Sequence, residues 1–177
     1  AAVVSVPPGK VLVRTVDAFR AIVDDPFVFG QITANHCLSD IHAMGADSRT
    51  ALAIVTLPLS PDDKMEALLE ELLSGAVEVL NAADTALVGG HTTEGNELTL
   101  GLSLSGVADP ARLLRKHGMQ SGHQLILTKP IGTGTLFAAH MRLKAKGRWI
   151  DGAVKSMLQS NRAASVCLQA HGATACT

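Results

Sequence analysis

The chain has 177 residues, of which 47% are apolar, and a formal net charge of -1. That length suits one sizeable core better than two, and the near-neutral charge leaves no basic field of the kind that holds nucleic acid by neutralising phosphates. Charged residues, glycines and prolines break every apolar run before the roughly 18 residues a membrane-spanning helix needs, so neither nucleic acid nor a bilayer is an expected partner.

The turn Pro7-Pro8-Gly9 precedes a β-branched run at 11–16, which predicts a strand ending at Asp17. Asp24-Asp25-Pro26 offers an acidic N-cap and a proline for a first helical turn. Phe29, Ile32, Leu38, Ile41 and Met44 then recur at helical spacing up to Gly45, predicting a helix over 27–44. The almost wholly apolar 51–57 predicts a buried strand, and Ser60-Pro61-Asp62-Asp63 caps a long amphipathic helix to about Ala82. Strands follow at 85–88 and at 97–107, the latter with Leu98, Leu100, Leu102 and Leu104 on one face and Thr99, Gly101, Ser103 and Ser105 on the other. A further strand is expected at 124–128, and helices at 135–145 and 152–171. Alternating strands and helices place the fold in the α/β (α+β) class.

Few residues have the placement that chemistry requires. Asp17 closes a strand, and Asp40 lies in a helix between apolar neighbours, where a carboxylate turned inward must be paired, hydrogen-bonded or metal-bound. Hard carboxylate oxygens suit Mg2+, which is commonly held by one or two carboxylates with substrate phosphates and water; a solvated or capped helix aspartate is the alternative reading. Gly89-Gly90-His91 follows a strand and forms either a loop whose N–H groups cradle phosphate or an ordinary glycine turn. Gly132-Thr133-Gly134 is a second glycine loop without the spacing of a P-loop or a dinucleotide fingerprint. The histidines lack zinc spacing, Cys37 reads as a small buried residue, and no serine-nucleophile elbow is present. Cys37, Cys167 and Cys176 are odd in number and sparse, and no leader-like segment opens the chain, which together predict a reducing cytoplasm.

Four segments together resemble the selenophosphate synthetases (selenide, water dikinases). They are Thr-Val-Asp-Ala-Phe-Arg-Ala-Ile-Val-Asp-Asp-Pro-Phe-Val-Phe-Gly at 15–30, Leu-Ser-Asp-Ile-His-Ala-Met-Gly-Ala at 38–46, Gly89-Gly90-His91, and Gly-His-Gln-Leu-Ile-Leu-Thr-Lys-Pro-Ile-Gly-Thr-Gly at 122–134. The Ser-Asp-x-x-Ala-Met-Gly element is shared with related ATP-dependent enzymes, whereas Asp24-Asp25-Pro26 and the 126–134 run point to this family. The resemblance implies an ATP-binding domain of the aminoimidazole-ribonucleotide-synthetase-like superfamily, a mixed sheet flanked by helices that closes a β-barrel with its twin in a homodimer. It implies a unit at 1–108 for ATP binding and dimerisation, then at 109–177 a linker and the start of a second domain. It assigns ATP binding to Asp17, Asp40, Gly89, Gly90 and His91, and Mg2+ binding to Asp40. The implied reaction takes ATP, selenide and water to selenophosphate, AMP and phosphate; a related ATP-dependent small-molecule kinase or synthetase and a non-catalytic dimerisation module are the alternative readings. The family's reactive cysteine or selenocysteine, its lysine and an Asp-Asp pair would fall before Ala1, and a further metal aspartate after Thr177. The chain is therefore expected to be a fragment, inactive by itself. His36 stands where the family usually has asparagine, and His123 where it often has aspartate.

Overall fold

Among residues 2–177, which the computed structural model describes, the strands are β1 (Val11–Arg20), β2 (Asp47–Pro58), β3 (Ala86–Gly95) and β4 (Thr99–Ala108). The helices are α1 (Pro26–Ala43), α2 (Asp62–Ala82), α3 (Thr133–His140), α4 (Gly147–Leu158) and α5 (Arg162–Ala170). Ala1, the first residue of the expected 1–108 unit, lies outside the described residues. The strands form one mixed sheet in the order β1-β4-β2-β3, with β4 antiparallel to both its neighbours and β2 parallel to β3.

Local chemistry sets the ends of α1 as the sequence predicts. Asp25 accepts a hydrogen bond from the Val28 N–H, and Pro26 occupies the first turn, where its missing N–H is harmless. At the other end Gly45 adopts φ +69°, its N–H donates to His42 and that of Ala46 to Ile41, which satisfies two carbonyls that the helix leaves free. Helix α2 differs from expectation: Pro61 precedes it and no side chain caps it, so Asp62 and Asp63 act through their charge at the positive end of the helix.

Both helices lie on one face of the sheet. Phe29, Cys37, Leu38 and Ile41 of α1, Leu72, Ala76 and Leu80 of α2, Ala51, Ala53 and Val55 of β2, and Leu100, Leu102 and Leu104 of β4 make the core. The helices meet backbone to backbone: a Cβ on Gly30 would sit 2.1 Å from the Leu72 carbonyl oxygen, and one on Gly75 2.0 Å from that of Phe27. Among the described residues no helix packs on the opposite sheet face, and Leu12, Val16 and Ile54 stand exposed there.

Beyond β4 the expectations hold less well. Residues 124–128 form no strand: Leu125, Ile126 and Leu127 are exposed and, among the described residues, no neighbouring strand offers them a ladder. A strand without a partner leaves its backbone groups to water. The expected helix at 152–171 is two helices, because the chain breaks at Gln159, Ser160 and Asn161. Lys129 fastens the preceding loop to α4 by donating to the carbonyls of Ser156 and Gln159, at 3.2 and 2.8 Å, and its desolvation lowers the ammonium pKa. Polar residues on the outer side of α1 receive α4 and α5. Asn35 donates to the Met157 carbonyl, Ser39 accepts from Asn161, and the His42 carbonyl accepts from Ser165.

Candidate functional site

Alternation along β1 turns Thr15, Asp17 and Phe19 to the same side, and the four-residue step along α1 stacks His36 over Asp40. These two rows face each other. The Thr15 hydroxyl donates to Asp40 Oδ2 at 2.6 Å, His36 Nε2 lies 3.9 Å from Asp17 Oδ2, and the His36 ring meets Phe19 edge-on, with centroids 4.6 Å apart. Cys37 reports the same convergence from beneath. Burial is the main reason its thiol is pushed up to about 12, and the negative charges of Asp17 and then Asp40 add to that. It is buried and unionised at neutral pH, an inert core residue as expected.

Asp40 is not directed into an apolar layer. It stands exposed at the rim of α1, because Cys37 and Ile41 take the inward positions on either side of it. Its carboxylate keeps contact with water and is free to meet a charged ligand from solvent. Asp40 with its Thr15 hydroxyl, and Asp17 two residues farther along β1, are hard-oxygen groups of the kind Mg2+ takes when phosphate and water complete the shell. Among the described residues no group of three or more His, Cys, Asp and Glu side chains stands ready to hold a metal unaided.

Gly89, Gly90 and His91 lie within β3 and not in a loop. Gly90 pairs with Ala53, Ala53 with Leu102 and Leu102 with Asp17, so Gly90 and Asp17 occupy one rung at opposite edges of the sheet. Three strand spacings separate them by roughly 14 Å. Within one chain Asp17 and Asp40 stand on the facing rows of β1 and α1, Asp40 bonded by Thr15 and Asp17 facing His36, while Gly89, Gly90 and His91 lie apart. Gly90 has a packing role of its own, since a Cβ there would lie 2.3 Å from the Ala53 carbonyl oxygen. Thr15, Phe19 and His36 are the site residues that sequence reading did not assign. The signal was available in the alternation that carries β1 on to Arg20 and in the His36/Asp40 spacing.

The model of the AIR synthase related protein N-terminal domain matches residues 1–108. The selenide, water dikinase of Pelobacter propionicus is 40% identical over 166 residues, covering 94% of this chain and 47% of its own length; that of Geobacter metallireducens is 37% identical, covering all of this chain and 51% of its own. The chain thus spans about half the length of the curated relatives it matches. Among solved structures, the thiamine-monophosphate kinase of Stenotrophomonas maltophilia superposes with a TM-score of 0.76 at 21% identity, over 92% of this chain and 54% of that one, a likeness of fold.

Proposed function

The chain belongs to the AIR synthase related protein N-terminal domain family, and on that footing we propose that it is the nucleotide-binding part of a selenide, water dikinase. The proposed enzyme is cytoplasmic and homodimeric and takes ATP, selenide and water to selenophosphate, AMP and phosphate. One observation carries the site: Asp17 and Asp40 converge at the β1/α1 junction, with Thr15 fixing Asp40. The 40% identical relative, a selenide, water dikinase, supports the substrate class.

Phosphoryl transfer is mostly a matter of positioning and charge, and a bound Mg2+ would supply the neutralisation of phosphate oxygens. Asp40 is its proposed ligand, exposed enough to accept an incoming metal–nucleotide complex and held in orientation by the Thr15 hydroxyl. Asp17, next to it, adds a second hard oxygen donor or a hydrogen-bond acceptor for the nucleotide. Gly89, Gly90 and His91 belong to the same site in a dimer, where the β3 edge of one copy approaches the β1 edge of the other. Residues 109–177 are proposed to open a second domain.

The test is a titration with a fluorescent ATP analogue at fixed Mg2+. Replacing Asp40 by Asn removes a charge-assisted contact and weakens Mg2+-dependent binding by about tenfold or more. Unchanged affinity would remove Asp40 from the site.

A further inference from the structure

A second polar cleft, independent of the Asp17/Asp40 site, opens where the C-terminal end of α1, the start of β2, the end of α2 and the start of α5 come together. Its volume is about 150 Å3, and His42, Asp47, Ser48, Arg49, Asp84 and Arg162 line it. His42 and Ser48 are only 5% and 3% exposed, yet among the described residues neither Nε2 of His42 nor Oγ of Ser48 has a hydrogen-bond partner. Buried polar atoms are nearly always paired, because an unpaired one forfeits its bonds to water. Two such atoms beside one cleft indicate a missing partner.

The backbone is arranged around this place. The β2–β4 register slips between Ser48 and Thr50, so that Arg49 falls at a bulge, a device that re-aims side chains. Asp84 holds the left-handed conformation, φ +56°, and accepts from both Nη atoms of Arg162 at 3.4 Å. Ser165 anchors α5 to the His42 carbonyl.

The geometry points to a binding site for inorganic phosphate in its hydrogen phosphate forms. Arg49 and Arg162 supply charged donors, the Ser48 hydroxyl a neutral donor, and the imidazole either a donor or an acceptor. Burial, and then Arg162, lower the His42 pKa while Asp47 opposes them, which favours the neutral ring. Asp47 and Asp84 select among anions. Phosphate at neutral pH keeps a proton and can donate it to a carboxylate, whereas sulfate keeps none and meets both carboxylates as like charges. Among the described residues the lining is charged and polar, with Ala83 its one apolar residue and no large apolar side chain to receive a base, so the free ion is its occupant.

The experiment is calorimetric titration of the 177-residue chain with inorganic phosphate and, separately, sulfate. Phosphate binds saturably and more tightly than sulfate. Arg162→Gln, which alters an exposed ion pair and no core contact, weakens phosphate by about tenfold. Ser48→Ala does not destabilise the phosphate-free chain, since it deletes an unpartnered hydroxyl, and it also weakens phosphate. Arg142→Gln, on a distant exposed turn, leaves phosphate binding unchanged. Sulfate binding as tightly as phosphate, no saturable binding, or a loss seen in Asp40→Asn but not in Arg162→Gln would each overturn the assignment; the last would place phosphate at the nucleotide site instead.

Discussion

Asp17, Thr15, His36 and Asp40 derive their relation from two periodicities, two along the strand and about 3.6 along the helix, that happen to face each other. The sequence made the two aspartates legible as candidates through their family context. The alternation of β1 and the His36/Asp40 spacing showed which residues share a row, but not that the two rows face each other, which packing between the strand and the helix after it decides. Cys37 gives a prediction at the same scale. Burial and the two aspartates raise its pKa from 9.0 to about 12, so the unfolded chain releases the thiol proton first as pH rises. The resulting stability is fully present below pH 9 and is lost as pH climbs toward 12. Alkylation at neutral pH, read by peptide mass spectrometry, labels the exposed Cys167 and spares Cys37 until the chain unfolds. Rapid labelling of Cys37 in the folded chain would show that its burial is not maintained.

At the scale of elements, helices α1 and α2 and strands β1, β2 and β4 were readable because each carries a full pattern; α1 also carries the end signals Asp25-Pro26 and Gly45, whereas β1 runs past its expected end at Asp17 to Arg20 and α2 lacks its expected cap. What failed had a common cause, since tertiary partners decided it. The apolar segment at 124–128 is a plausible strand by composition, yet it has no neighbour to pair with among the described residues. Gly89-Gly90 looked like a loop because glycine usually marks one, but β3 uses Gly90 to approach β2 closely. The helix pair makes the same use of Gly30 and Gly75. Gly30→Ala pushes a methyl group against the Leu72 carbonyl, and chemical denaturation is expected to show a loss of about 1–3 kcal/mol. Gly134→Ala in α3 has no atom within 4 Å of the new Cβ and gains about 0.5–1 kcal/mol from helix propensity. Equal effects at the two positions would refute the close α1/α2 crossing.

For the molecule as a whole, one sheet face is sealed by α1 and α2 and the other is open, with Leu12, Val16 and Ile54 in water. An uncovered sheet face with exposed apolar side chains, and two free edges, is the surface on which a second copy is proposed to close a barrel. The mixed α/β class was readable from the alternation of elements. The strand order β1-β4-β2-β3 was not, because it depends on crossovers over the sheet that no local pattern encodes. The separation of Asp17 from Gly90 at opposite edges follows from that order, and so does the need for a dimer if both serve one nucleotide. The measurement that bears most directly on the proposed activity is phosphorus NMR of the full-length protein carrying this chain, incubated without oxygen with MgATP and selenide. The account predicts a new selenium-coupled phosphorus signal growing together with AMP and phosphate, and abolished by Asp40→Asn; bound ATP that persists, or is consumed with no phosphorus–selenium signal, would contradict it.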